Sequence, residues 1–244
     1  MDFAFLHGGG QGSWVWDETI AALRLQADED LRCLALDAPG CGTKRGRDTA
    51  AIAFPEIAGE LVDDIEAAGL RDVVLVGHSQ AGMTMPDMAA LAPGLFRRLV
   101  FVSCSAPLPG VTTLEQMGNS VHGANPDQVG WPVDPQTTTM EDRYRAMFCN
   151  DMTPAQADTF LARLGSDMWP ACCYSHRAWA YDHLVALPVS YVTCLRDASL
   201  PVEWQERFAA RLHADRVTRI DAGHQAMNTR PHGLAEILLC EARA

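Results

Sequence analysis

The chain reads as an α/β fold, a mostly parallel sheet of about six strands with helices on both faces. Three observations predict it. Apolar runs of strand length recur at Phe3–Leu6, Arg32–Leu36, Val73–Val76, Leu99–Val102, Val189–Cys194 and Arg216–Ile220. Segments of helical periodicity separate most of them. Turn-forming stretches rich in glycine and proline, His7-Gly8-Gly9-Gly10 and Asp37-Ala38-Pro39-Gly40, follow the first two runs. Strands joined through helices must run parallel, because only a crossover returns the chain to the same edge of the sheet.

The helices follow in order. Asp17 to about Ala27 carries Ile20, Leu23 and Leu25. Pro55–Ala68 places Ile57, Leu61, Val62 and Ile65 at helical spacing, with Gly69 as a stop signal. A helix from Gln80 to about Leu91 contains Pro86, which should bend it or remove one hydrogen bond. Val202–Leu212 and Leu234–Leu239 cover the last strands. Residues 103–187 break the rhythm with prolines, Trp131, Trp169, Trp179 and five methionines. Helices are expected there at Met140–Phe148 and at Thr153–Leu164, the latter opening on Thr153, Pro154 and Gln156. An insertion of this kind between two sheet strands is expected to form a lid within one domain spanning 1–244.

Composition excludes several classes. A length of 244 residues suits one domain with a full core. The net charge of −12 disfavours a phosphate-backbone partner, so no nucleic acid is expected. The one basic cluster, Lys44-Arg45-Gly46-Arg47, reads as solvated loop. The apolar runs are too short to cross a bilayer, so no membrane partner is expected. Met1-Asp2-Phe3-Ala4 enters a strand without a basic, cleavable leader, so a cytoplasmic location is expected. Eight cysteines show no C-x-x-C and no zinc spacing. They read as reduced structural thiols, with redox activity of the vicinal pair Cys172-Cys173 as the lesser alternative. His176 and His183 lie near Asp182, but no third ligand has suitable spacing. Neither metal nor cofactor is expected, and a homodimer stays open.

The chemistry concentrates at Gly77-His78-Ser79-Gln80-Ala81-Gly82, directly after Val73–Val76. A β-branched run feeding a serine between small residues, followed by a helix, is the sequence form of a nucleophile elbow. Ser79 is the candidate nucleophile and needs a base. His224, in Asp221-Ala222-Gly223-His224-Gln225 after the last strand, is the candidate base. Asp197, after Val189–Cys194, is the candidate acid that would orient it. Asp221 is a rival, but a residue three before His224 on one tight loop would not readily reach the far imidazole nitrogen. Asp197 could alternatively cap the helix beginning near Pro201. The oxyanion hole needs two N–H donors, expected from Gln80 and from the first glycine loop, most naturally Gly9. His7 reads as bonding loop backbone, His78 as packing or touching the lid, and Asp37 as ordering its own Pro-Gly turn.

These segments resemble the α/β-hydrolase superfamily, and within it the group of plant methylesterases, hydroxynitrile lyases and bacterial esterases. His7-Gly8-Gly9-Gly10-Gln11-Gly12-Ser13-Trp14-Val15-Trp16 resembles that group's opening motif H-G-x-x-x-G-x-W-x-W. Tyr191-Val192-Thr193-Cys194-Leu195-Arg196-Asp197, with Leu200-Pro201 and Gln205, resembles its acid-bearing segment. Gly223-His224-Gln225-Ala226-Met227 resembles its histidine loop. Some relatives carry the acid after the strand that follows the elbow helix; here that position reads Ser103-Cys104-Ser105, without a carboxylate. The group's hydroxynitrile lyases carry a lysine directly after the histidine and a threonine directly after the first loop's histidine. Here those positions are Gln225 and Gly8, so the resemblance implies ester hydrolysis rather than lyase chemistry.

The expectation is a cofactor-free serine hydrolase of a small or medium ester, its lid composition hinting at an apolar or aromatic substrate portion. Lactone hydrolysis and hydrolytic carbon–carbon cleavage use the same three residues. A carboxylate nucleophile, as in haloalkane dehalogenation, is absent where Ser79 stands. A small-molecule receptor on the same fold is the non-catalytic alternative.

Overall fold

The computed structural model describes residues 1–165 and 167–244. Its centre is a sheet of six strands, all parallel, in the order β2-β1-β3-β4-β5-β6. The strands are β1 (Asp2–Leu6), β2 (Arg32–Leu36), β3 (Val73–His78), β4 (Phe96–Val102), β5 (Val189–Cys194) and β6 (Arg216–Ile220). The inner strands β1, β3 and β5 are buried along their whole length. The edge strands β2 and β6 are largely uncovered and carry Arg32, Arg216 and Arg219, charges that discourage pairing with another sheet.

Side-chain alternation builds two cores. Phe3, Phe5, Val74 and Val76 face α1 (Asp17–Gln26) and the last helix, Pro231–Arg243, together with Ile20, Leu23, Leu234 and Leu238. Ala4, Leu6, Val73 and Leu75 face the opposite layer, which includes Ile57, Leu61 and Ile65 of α2 (Phe54–Ala67). The inner strands must therefore be apolar on both sides, which is why their runs read as continuous rather than alternating.

The elbow differs from the single helix predicted over Gln80–Leu91. Ser79–Met83 is a 3-10 turn, and α3 begins only at Met85 and ends at Leu91. Pro86 lies in the first turn of α3, where its missing N–H costs nothing, so the proline starts a helix instead of bending one. A side chain at Gly77 would meet Met85 Sδ at 2.1 Å and Ala81 Cβ at 2.8 Å. One at Gly82 would meet the Ser105 carbonyl oxygen at 2.3 Å and Cys104 Cβ at 2.7 Å. The extra methyl of Ala81 is tolerated because the close approach toward β4 falls on Gly82.

Between β4 and β5 lie α4 (Thr113–Met117), α5 (Met140–Phe148), α6 (Pro154–Leu161) and α7 (Cys172–Ser175). Thr112, Thr139 and Thr153 each accept a hydrogen bond from the backbone three residues on, the reciprocal cap that starts α4, α5 and α6. The short α4 and α7 have no periodicity to show in sequence. Met147, Phe148, Cys149, Ala157 and Phe160 form a small separate core here. After β5 come α8 (Val202–Arg211), α9 (Ala226–Thr229) and α10 (Pro231–Arg243). Among the described residues, no helix is long and apolar enough to cross a membrane.

Gly82→Ala should lower unfolding stability by about 1–3 kcal/mol, because backbone and not a flexible side-chain end stands in the way. A urea midpoint equal to wild type would contradict this packing.

Candidate active site

Strand order places the site. β1 pairs with β3, with Leu6 opposite Gly77, although β2 lies between them in sequence. The chain reverses its direction of winding here. The loops leaving the ends of β1 and β3 therefore emerge side by side, bordering a crevice at the carboxyl edge of the sheet. His7–Gly12 fills one side and Ser79 the other.

Ser79 has a φ of 53°, the left-handed region that non-glycine residues rarely enter. Its carbonyl accepts the N–H of Ser105 at 3.0 Å, tying the elbow to the loop after β4. Ser79 Oγ lies 3.0 Å from His224 Nε2, and His224 Nδ1 lies 2.7 Å from Asp197 Oδ2. With Nδ1–H donating to the carboxylate, Nε2 is left to accept the serine proton. Residues separated by 145 positions thus meet within hydrogen-bond reach. The imidazole and the carboxylate have no solvent-exposed surface.

Asp197 is held from several directions. Its Oδ1 accepts the N–H groups of Ser199 at 2.7 Å and Leu200 at 2.8 Å, and its Oδ2 also accepts the hydroxyl of Ser103. The alternative that Asp197 caps the helix beginning near Pro201 is not what the structure shows, since that helix has no side-chain cap: one carboxylate oxygen holds the turn at Ser199 and Leu200, and the other holds His224. Ser103 stands where some relatives place the acid, and it reaches the same carboxylate from β4. Gln205 braces the loop by accepting from Cys194 N–H and donating to the Cys194 and Leu200 carbonyls. The rival Asp221 points away and pairs with Arg196 Nε at 2.7 Å.

The two other histidines of the motifs hold backbone. His78 Nε2 donates to the His224 carbonyl at 2.9 Å, so it positions the histidine loop and does not touch the 103–187 segment through this bond. His7 Nδ1 donates to Gly8 O at 2.8 Å while its Nε2 accepts Ala38 N–H at 3.2 Å, which requires a neutral ring. Burial, and for His78 also the neighbouring His224, pushes both well toward the neutral form. Asp37 does more than order its own turn. It accepts from Ser13 N–H at 2.6 Å and from Thr43 N–H and hydroxyl at 2.9 Å, stitching the first loop to the second.

The sequence reading missed Asp151. It follows α5, its side chain is buried, and its Oδ2 accepts Gly223 N–H at 2.8 Å and Thr229 Oγ1–H at 2.9 Å. The adjacent Asn150 donates to Arg196 O at 2.6 Å. This pair clamps the loops carrying His224 and Asp197 together. No local pattern marks it, because its partners lie more than 70 residues away in sequence or on another loop.

Gly9 and Gln80 border the same cavity as Ser79. A side chain at Gly9 would lie 2.4 Å from Gln80 Oε1, so one could be placed there only if the end of the Gln80 side chain moved aside. The cavity holds about 270 Å³ and is walled by Met117, Trp131, Tyr144, Phe148, Met168 and others. Tyr174 donates its hydroxyl to Gln80 Oε1 at 3.2 Å, and burial pushes its pKa up to about 12. A larger surface hollow, about 400 Å³ beside Trp14, Met152 and Arg163, includes none of Ser79, Asp197 or His224. His176 stacks on Phe54 with ring centres 4.1 Å apart, and His183 bonds the Pro86 carbonyl at 2.9 Å. Among the described residues, no group of three or more His, Cys, Asp or Glu side chains is placed to hold a metal.

Asp151→Ala leaves Gly223 N–H without its acceptor and the Thr229 hydroxyl with only its longer bond to Gln225 O at 3.3 Å, and should cost about 1–3 kcal/mol of stability, with Asp151→Asn recovering part of it. Equal melting temperatures for wild type and Asp151→Ala would refute the clamp. A pH effect follows from His7 and His78. A histidine whose folded pKa is depressed stays neutral while the unfolded chain takes up its proton. Stability is therefore full above about pH 6.5 and falls below it, by up to about 1.4 kcal/mol per pH unit for each ring. Urea titrations between pH 7.5 and 5 should show the decline, and a flat profile would count against the buried neutral pair.

Comparison with known proteins agrees with this architecture. Polyneuridine aldehyde esterase of Rauvolfia serpentina is 25% identical over 257 residues, covering 97% of this chain and 94% of that one. Esterase PIR7B of Oryza sativa subsp. japonica is 32% identical over 110 residues, covering 44% of this chain and 40% of its own. The chain also spans 64% of the length of a chloroplastic Arabidopsis thaliana protein named as a methylesterase, at 23% identity and with 99% of this chain covered. Against several curated relatives the chain thus spans less than two thirds of their length. Among solved structures, an extracellular alpha/beta-hydrolase from a Paenibacillus species superposes with a TM-score of 0.80 at 21% identity over 100% of both chains. The sequence model of the alpha/beta hydrolase family matches residues 3–237, and the chain belongs to that family.

Proposed function

We propose that the protein is a serine hydrolase of small or medium, apolar or aromatic carboxylic esters, working through an acyl-enzyme on Ser79. The observation that carries this reading is the unbroken hydrogen-bond chain from Ser79 Oγ through His224 to Asp197. Esterase names among the relatives, at low identity, support the reaction class.

In this mechanism Ser79 Oγ attacks the ester carbonyl carbon as its proton passes to His224 Nε2. Asp197 holds the ring orientation and stabilises the imidazolium. The N–H groups of Gly9 and Gln80 receive the oxyanion, a reading supported by both residues bordering the cavity beside Ser79. Collapse breaks the bond to the alcohol oxygen, which leaves with the proton from His224. Water, deprotonated by His224, then attacks the acyl carbon and releases the acid and Ser79. Residues 103–187 act as the lid, since they supply Trp131, Tyr144, Phe148 and Met168 to the cavity wall.

The test is hydrolysis of p-nitrophenyl esters from acetate to decanoate. Wild type should turn them over with an optimum that sizes the cavity. Ser79→Ala and His224→Ala should each lower kcat by about 10⁴-fold or more while keeping the circular dichroism of the folded protein. Near-normal activity in Ser79→Ala would overturn the nucleophile. Wild type inert toward every ester would favour a lactone, a carbon–carbon substrate or a receptor role.

A further inference from the structure

The segment between β4 and β5 does more than wall the cavity, because it is also bonded to the loops that follow β1 and β2. Gly165 N–H donates to Gly10 O at 2.8 Å. Trp169 Nε1–H donates to Gly8 O at 3.1 Å. Asp167 accepts Gly42 N–H at 2.8 Å and takes both Nε–H and Nη2–H of Arg45 at 2.8 Å. One arginine of the basic cluster Lys44-Arg45-Gly46-Arg47 thus anchors this segment beside the first glycine loop.

The bond to Gly8 has a consequence for its neighbour. A trans peptide is planar, so the Gly8 carbonyl and the Gly9 N–H point in opposite directions from one rigid plate. Whatever holds the carbonyl therefore aims the N–H. Glycines on both sides of the plate leave it free to rotate unless something holds it. Two donors do so, His7 Nδ1 at 2.8 Å and Trp169 Nε1 at 3.1 Å. Both rings are buried, and they meet edge to face with centres 5.5 Å apart. Among the described residues, no group accepts a hydrogen bond from Gly9 N–H, and Gly9 borders the cavity beside Ser79. Donation to the carbonyl also polarises the peptide, which strengthens the N–H on its far side. Trp169 lies outside the residues that line that cavity, so its effect passes through the loop.

From this geometry we infer that Trp169 is a positioning residue: its indole N–H holds the Gly8–Gly9 peptide so that Gly9 N–H is aimed at the oxygen that becomes the oxyanion. This rests on the ester-hydrolase reading above, with Gly9 as an oxyanion donor.

The test uses two variants at this position. Trp169→Phe removes the N–H and keeps an aromatic ring against His7. Trp169→benzothienylalanine keeps the fused ring as well and exchanges only N–H for sulfur. Trp179→Phe is the control, since it deletes another buried indole bond of the same segment, from Trp179 Nε1 to Val111 O at 2.7 Å, away from the glycine loop. With the p-nitrophenyl ester that wild type hydrolyses fastest, both Trp169 variants should lower kcat by about tenfold, less than outright loss of an oxyanion donor because His7 still holds the carbonyl. KM should move by less than about twofold, because the aimed N–H acts in the transition state. Hexyl trifluoromethyl ketone gives an independent reading. Ser79 Oγ adds to its carbonyl carbon, the serine proton passes to His224, and the carbonyl electron pair becomes the oxyanion. Its inhibition constant should rise by about the same tenfold. Trp179→Phe should change kcat and the inhibition constant by less than about twofold.

A benzothienylalanine variant with wild-type kcat overturns this inference and leaves the esterase reading standing. An equal loss in Trp179→Phe overturns it too, because the effect then belongs to the packing of the whole segment. So does a fall in kcat with an unchanged inhibition constant, which would separate Trp169 from the oxyanion. No hydrolysis of any ester by wild type overturns both readings. Loss of folding in both Trp169 variants would make Trp169 a structural residue and overturn the assignment.

Discussion

A carboxylate without access to water is tolerable only when its lone pairs are filled, and the neighbourhood of Asp197 is built to fill them. Two backbone N–H groups, one serine hydroxyl and one imidazole N–H converge on it. They come from its own turn, from the end of β4 and from the loop after β6. The carboxylate thereby joins three pieces of chain that share no local sequence. Its orientation of His224, and so the aim of Nε2 at Ser79, depends on all three staying in place. Gln205 and Asp151 secure the outer side of the same assembly.

The parallel sheet makes that convergence unavoidable. All six strands point the same way, so every loop that follows a strand lies on one edge. The winding reverses between β1 and β3, which opens room there for a ligand. A serine in left-handed conformation at the end of β3 projects into that room. The buried histidines His7 and His78 stay neutral and act as rigid struts for the loops on either side. The result couples fold stability to site geometry, since the same hydrogen bonds serve both.

The segment between β4 and β5 contributes a different property. Its aromatic and methionine side chains give the cavity an apolar, adaptable wall, and they bring no charge to it. Ser79, Asp197 and His224 all lie at the sheet edge, and the inserted helices supply the apolar part of the cavity wall.

Much of this was legible in the residues. The inner strands follow from apolar runs, because strands buried on both faces admit little else. Ser79, Asp197 and His224 each stand directly after a strand, the position where a parallel sheet presents its loops. The helix after the elbow was drawn too long, since periodicity does not separate a 3-10 turn from the α-helix that Pro86 begins. Asp37 was read as a local turn residue, whereas its partners Ser13 and Thr43 show it holding two loops together.

What the sequence determined by itself was therefore whatever depends on periodicity and on chain order: the fold class, the elbow and the succession Ser79, Asp197, His224. Only the tertiary structure decided the partners. Asp151 under the histidine loop, Ser103 on the Asp197 carboxylate and His78 against the His224 carbonyl are all products of long-range packing. A hydrogen bond between residues far apart in the chain leaves no spacing to read, because it is the folded sheet, and not the covalent neighbourhood, that brings donor and acceptor within 3 Å of each other.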